Sequence, residues 1–158
     1  MPARFRRALQ ASDRGCAPGE APRLHIAFGN PRHAHVECLS GDAFDAVVAK
    51  IEGMDEGEEE RELLEDLYYG YCEEVQVDDT GRFVLPVEAR DKLQLDGEAV
   101  FKGRGTRFHI LRPEDDAAVR GRIEDRLQRF GGDNQNFNPI SLANKKQKIA
   151  DQAGDDAQ

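Results

Sequence analysis

Val75-Gln76-Val77-Asp78-Asp79-Thr80-Gly81-Arg82-Phe83-Val84-Leu85-Pro86 is the stretch from which the rest of the chain can be read. Val75, Val77, Phe83 and Leu85 are apolar at alternate positions on either side of a polar Asp78-Asp79-Thr80-Gly81 turn, the pattern of two short strands tightly joined. Pro86 suits the first turn of a helix, where a missing N–H costs nothing. Ala89 and Leu93 share one face of that short helix, and Leu95-Asp96-Gly97 ends it. Residues 99–102 and 108–111 then read as strands around a Gly103-Arg104-Gly105-Thr106 tip. Pro113 opens a second helix, with Glu114, Asp115 and Asp116 near its positive end. Val119, Ile123, Leu127 and Phe130 continue it at helical spacing until Gly131-Gly132.

Working outward, the same order recurs upstream. Pro2-Ala3-Arg4-Phe5-Arg6-Arg7-Ala8-Leu9 can be laid on Pro86-Val87-Glu88-Ala89-Arg90-Asp91-Lys92-Leu93, matching Pro, Arg and Leu at identical spacing. Val36-Glu37-Cys38-Leu39-Ser40-Gly41-Asp42-Ala43 aligns with Phe108-His109-Ile110-Leu111-Arg112-Pro113-Glu114-Asp115. Each half reads helix, hairpin, helix, an internal repeat. In the first half the strands are 23–28 and 35–39 around Gly29-Asn30-Pro31, and Phe44, Val47, Val48 and Ile51 form a helical face. Residues 53–57 interrupt, and Leu63, Leu64, Leu67, Tyr68 and Tyr71 mark another amphipathic helix. Residues 12–21 read as a loop, and 131–158, polar and aperiodic, as a largely disordered tail. The expected fold class is α+β, divided into a first half (1–71), a second half (72–130) and the tail (131–158).

The net charge of −9 weighs against a polyanionic partner until its distribution is considered. Between Glu52 and Asp66 nine acidic residues face one basic residue, Arg61, whereas between Thr80 and Arg112 seven basic residues outnumber four acidic ones. Acid is thus concentrated in one block that can face away from a polyanion. Cys16, Cys38 and Cys72 are odd in number and far apart, which suits reduced thiols in a cytoplasm better than disulfides or a zinc site. No apolar run reaches the length of a membrane span, and the basic N-terminus has no apolar segment behind it, so neither a membrane partner nor a signal peptide is expected.

The run Val77–Pro86, followed by Arg90 and Leu93, resembles the MraZ family of regulators of the division and cell-wall gene cluster. Its Asp-x-x-x-Arg strand–turn–strand, then Pro, short helix and hairpin, is similar to AbrB-like DNA-binding domains. The duplication and the linking helices narrow the resemblance to MraZ over roughly residues 1–130. It implies tandem AbrB-like swapped-hairpin β-barrel units with flanking helices, a ring-like homo-oligomer, and sequence-specific repression at short direct promoter repeats in a nucleoid-associated, cytoplasmic setting. The family carries Asp-x-x-x-Arg in both halves, and here the first copy is missing. Pro2 stands where the first strand pair should just have ended, so a start displaced into the first repeat is expected, the alternative being a degenerate first repeat.

The resemblance places double-stranded DNA at the 78–82 turn. Arg82 is the principal candidate, because a guanidinium donates two parallel hydrogen bonds to a guanine edge or holds a phosphate oxygen. Pairing with Asp78 across the turn is its other reading. Thr80 and Gly81 belong to the same expected contact, and Asp78 is assigned to turn structure, since a carboxylate accepts turn N–H bonds but repels phosphates. Arg90 reads equally as DNA-facing or as an intramolecular ion pair. Lys102, Arg104 and Arg107 read as a solvated hairpin tip, and Gly103-x-Gly105 lacks the strand-to-helix setting of a nucleotide loop. His25, His33, His35 and His109 fall in or beside strands, with no cysteine or carboxylate seen at metal-ligand spacing, so no metal, cofactor or small-molecule substrate is expected. No catalytic motif appears, the carboxylates of 55–66 read as a solvated helix face, and Tyr68 and Tyr71 read as packing residues. The chain is expected not to be an enzyme. The alternative to a DNA-binding regulator is a protein-interaction module, such as an AbrB-like antitoxin, using the acidic helix and the tail.

Overall fold

A computed structural model describes residues 1–17 and 20–143. The described residues fall into two compact parts, within Met1–Asp116 and, from Ala117 on, within 117–143. In chain order the first part holds α1 (Ala3–Ala11), β1 (Arg23–Ala27), β2 (His35–Ser40), α2 (Gly41–Glu52), α3 (Glu59–Glu65) with a π-helical turn at Asp66–Gly70, β3 (Cys72–Gln76), α4 (Val87–Leu93), β4 (Val100–Arg104) and β5 (Arg107–Leu111). The last helix, α5 (Pro113–Gly131), begins in the first part and continues into the second.

The fold is α+β, built on one five-stranded antiparallel sheet in the order β3-β1-β2-β5-β4. Two hairpins, β1–β2 and β4–β5, meet through β2 and β5, so the sheet crosses the boundary between the halves. Val36 pairs with Ile110, Glu37 with His109, and Cys38 with Phe108. In the repeat alignment Val36 matches Phe108 and Cys38 matches Ile110, so each strand pairs with its own counterpart about a pseudo-twofold axis at Glu37 and His109.

Alternation decides which face is covered by what. Leu24, Ile26, Val36, Cys38, Phe108 and Ile110 point to one face and pack with Phe5 and Leu9 of α1, Ala89 and Leu93 of α4, and Val77. Phe5 and Leu9 align with Ala89 and Leu93 in the repeat, and both helices bury those positions. On the other face, α2 lies over the first hairpin: Phe44 stacks on His25 at 3.9 Å, and Ile51 is buried. Each buried Leu or Ile contributes roughly 1.5–3 kcal/mol over its exposed state. Ser40 caps α2, its Oγ accepting from the Ala43 N–H at 3.3 Å. The loop before β1 is tied by Asp13, whose carboxylate accepts from the Arg23 N–H at 2.8 Å and from Arg23 Nη2 at 2.7 Å.

Five features differ from or add to what was expected. The two β-barrel units become one open sheet. The second strand expected through Phe83 and Leu85 is absent; no neighbouring strand supplies ladder bonds there, although Phe83 and Leu85 still pack on the core and Val84 stays exposed. The single helix expected through Leu63 and Tyr71 is α3 followed by the π-helical turn, closed by the Tyr71 N–H on the Asp66 carbonyl at 3.0 Å. In α5, Ile123, Leu127 and Phe130 keep their helical spacing but are exposed. Of the tail, residues 132–143 form successive turns and a short helical end, and 144–158 lie outside the described residues.

Candidate nucleic-acid interface

The 78–82 turn is organised by one carboxylate. The Gly81 N–H reaches the Asp78 carbonyl at 2.8 Å, and the Asp78 N–H reaches the Arg82 carbonyl at 2.9 Å. Gly81 has φ +83°, a conformation that disfavours a side chain. Asp78 Oδ1 accepts from the Thr80 N–H at 2.9 Å, the Thr80 hydroxyl at 2.7 Å and the Arg82 N–H at 2.8 Å. Its Oδ2 accepts from Arg82 Nε at 2.8 Å. The Arg82 N–H foremost, then the Thr80 hydroxyl and the Arg82 side chain, hold the Asp78 carboxyl far below the usual carboxylate range.

Arg82 therefore pairs with Asp78, yet its side chain is 81% exposed. The pair uses Nε, and the two terminal nitrogens make no hydrogen bond among the described residues, leaving one planar donor edge of an exposed side chain. Thr80 is exposed beside it with its hydroxyl engaged by Asp78. Gly81 is buried, its carbonyl accepting from the Met1 ammonium at 2.8 Å, and a Cβ on it would stand 3.1 Å from the Met1 carbonyl. It shapes the turn's backbone and offers no surface. Arg90, on α4, is exposed and donates to the Leu85 carbonyl at 3.3 Å, with no ion pair among the described residues.

Arg6 is the residue that sequence reasoning missed at this turn. It donates from Nη1 to the Asp79 carbonyl, bringing a cation of the first half onto the turn of the second. Its match to Arg90 in the repeat was the available signal. That match could not reveal α1 packing against the other half. At the β4–β5 tip, Lys102 pairs with Asp116 and Arg107 with Glu37 at 2.9 Å, while Arg104 is exposed. The acidic block lies on the exposed end of α2 and on α3, where Arg61 pairs with Glu65 at 2.8 Å.

The histidines are more organised than their sequence positions show. His35 stacks on His109 at 3.8 Å between ring centres and on His33 at 4.5 Å. The expectation that no carboxylate stands at ligand spacing does not hold for Glu37, which extends the same β2 face. Burial pushes His35 down to about 4, helped by the neighbouring His109 and His33, and burial also lowers His25 and His109. The three cysteines are free thiols, and burial pushes Cys72 up to about 12. Tyr68 donates its hydroxyl to Glu37 Oε2 at 3.2 Å, and Tyr71 meets Phe28 edge-on. Among the described residues, no helix is long and apolar enough to cross a membrane.

No protein-family model matches the chain. Individual proteins do. The chain is 43% identical over 114 residues to "Transcriptional regulator MraZ" of Ruegeria sp. (strain TM1040), covering 72% of this chain and 68% of that protein. It is 40% identical over 113 residues to the protein of that name from Ruegeria pomeroyi, covering 72% of this chain and 68% of the relative. To that of Cereibacter sphaeroides (strain ATCC 17025) it is 30% identical over 140 residues, covering 84% and 82%. These names point to a role other than catalysis. The similarity spans more than two thirds of both partners, so the chain belongs to the MraZ family of transcriptional regulators.

Proposed function

We propose that this chain is a sequence-specific DNA-binding repressor, reading short direct repeats in a division or cell-wall promoter through the 78–82 turn. The observation that carries the reading is Arg82: mostly exposed, held at Nε by Asp78, with its terminal nitrogens unbonded among the described residues, in a chain of this family. Thr80 and Arg6 flank it, and Arg90 adds positive charge on the following helix. The acidic block supports the reading by lying on α2 and α3, elements separate from this turn.

The two halves, 1–71 and 72–130, are read as AbrB-like swapped hairpins interlocked into one sheet, a reading supported by the pseudo-twofold pairing of β2 with β5. One small turn buries too little surface for tight specific binding, so copies of the chain act together in a ring-like homo-oligomer within the cytoplasm. Val84 and Val87, exposed beside the turn, suit packing between copies.

Gel-shift titration on the protein's own upstream region tests the reading. Arg82→Ala is expected to cost roughly 1–3 kcal/mol, about five- to 150-fold in affinity; if Arg82 meets a phosphate, the salt slope also falls by about 1. Equal binding by wild type and variant refutes the role of Arg82. Light scattering that finds a stable monomer refutes the ring.

A further inference from the structure

The connection between β1 and β2 brings together groups that the regulatory reading does not use. His33, His35 and Glu37 each offer a donor atom, and these atoms lie within 4.8 Å of one another. Together they line a cavity of about 70 Å³, enough for one ion with a bound water. His35 and Glu37 alternate on β2 and so share a face, and His33 approaches from the turn before the strand. Two imidazoles and a carboxylate form a donor set suited to borderline divalent ions.

Three features of the cluster suit it to bind a ligand. His35 Nε2 is buried and has no hydrogen-bond partner among the described residues, and a buried polar atom is costly to leave unpaired. The His35 ring is clamped by stacking on His109, so it cannot readily turn away. Glu37 receives both Tyr68 and Arg107 on Oε2, which orients the carboxylate and leaves Oε1 open among the described residues. Such outer hydrogen bonds are how proteins hold metal-binding carboxylates in place.

We propose that His33, His35 and Glu37 form a site for a first-row divalent cation of the Zn²⁺ class. Lys92 works against a tightly held ion. Its ammonium lines the same cavity, bound to the Phe28 and Asn30 carbonyls at 2.7 and 2.6 Å. The site therefore takes an exchangeable ion. Occupancy ties the β1–β2 turn to the β2–β5 seam, because Glu37 already bridges to Arg107 of β5.

The test uses the full chain, stripped with chelator and titrated calorimetrically with ZnCl₂. One ion per chain is expected, with a rise in melting temperature. His33→Ala changes a partly exposed turn residue, so its fold should persist by circular dichroism while affinity falls more than about tenfold. Glu37→Gln should weaken binding in the same direction. Co²⁺ should give a visible d–d band without thiolate-to-metal charge transfer. No Zn²⁺ binding, unchanged binding in His33→Ala, or a thiolate signature marking the cysteines as ligands would each overturn the proposal.

Discussion

Phe5→Ala tests whether the first helix belongs to a core shared by both halves. Phe5 is 9% exposed and packs on Phe108 of β5 and Phe101 of β4, with ring centres at 5.0 and 6.0 Å. Truncating a buried Phe to Ala costs about 3–5 kcal/mol, the spread reflecting how well the site collapses. A groove of about 430 Å³ adjoins Phe5, lined also by Arg4, Leu9 and Phe108, so water reaches part of the vacated space. That places the expected loss near the lower end, about 3 kcal/mol, or roughly 10 °C in melting temperature for a unit of this size. The chain contains no Trp, so urea unfolding is best followed by far-ultraviolet circular dichroism. Phe5→Leu, which keeps most of the volume, should lose less than half as much. A single shifted transition is expected. A loss below about 1 kcal/mol, or a separate early transition with the remainder unchanged, would show that α1 is not part of the shared core.

Two further outcomes follow from the loop anchor and the buried histidines. A Cβ at Gly41 would stand 2.4 Å from both Arg23 Nη2 and Asp13 Oδ1, so Gly41→Ala must displace that pair. With the Arg23 side chain 31% exposed, solvent softens the cost to about 2 kcal/mol, and the cost should shrink in an Asp13→Ala background; a neutral Gly41→Ala would contradict the anchor. His25, His35 and His109 all sit below their ordinary value of 6.5 through burial. Below that value the unfolded chain binds more protons than the folded one, so stability should fall from pH 6.5 toward about 4, with His35 setting the lower limit. Asp13, lowered mainly by its bonds to Arg23 against burial, acts in a different window: its contribution is lost below its ordinary 3.8. Urea midpoints measured with chelator present at pH 7 and pH 5 check this, and equal midpoints would contradict it.

Much of the site was legible because turn chemistry is local. Asp78, Thr80 and Arg82 lie within five residues, and an Asx-type turn needs only that spacing and a residue tolerating positive φ. The burial of Gly81 was not legible, because its cover, Met1, is 80 positions away in sequence. Arg6 was missed for the same reason. Glu37 was not legible as a partner of the histidines because its two-residue spacing brings it onto the face of His35 only in a strand, and His33 joins that face through the turn. The strand expected at Phe83 and Leu85 kept its alternation without its ladder, since alternation belongs to the chain but hydrogen bonds need a neighbour.

By itself, the sequence determined the elements and their order: two helix–hairpin–helix halves, the 78–82 turn, and which faces are apolar. Periodicity, capping residues and turn residues act within a few positions, so they can be read without knowing the partners. Tertiary structure alone decided that the halves share one sheet, that α1 covers the second hairpin as well as the first, and that Arg6 and Met1 close over the turn. Those outcomes depend on which apolar faces meet, and burial is non-directional: it rewards any close-packed pairing and leaves the choice to shape and register.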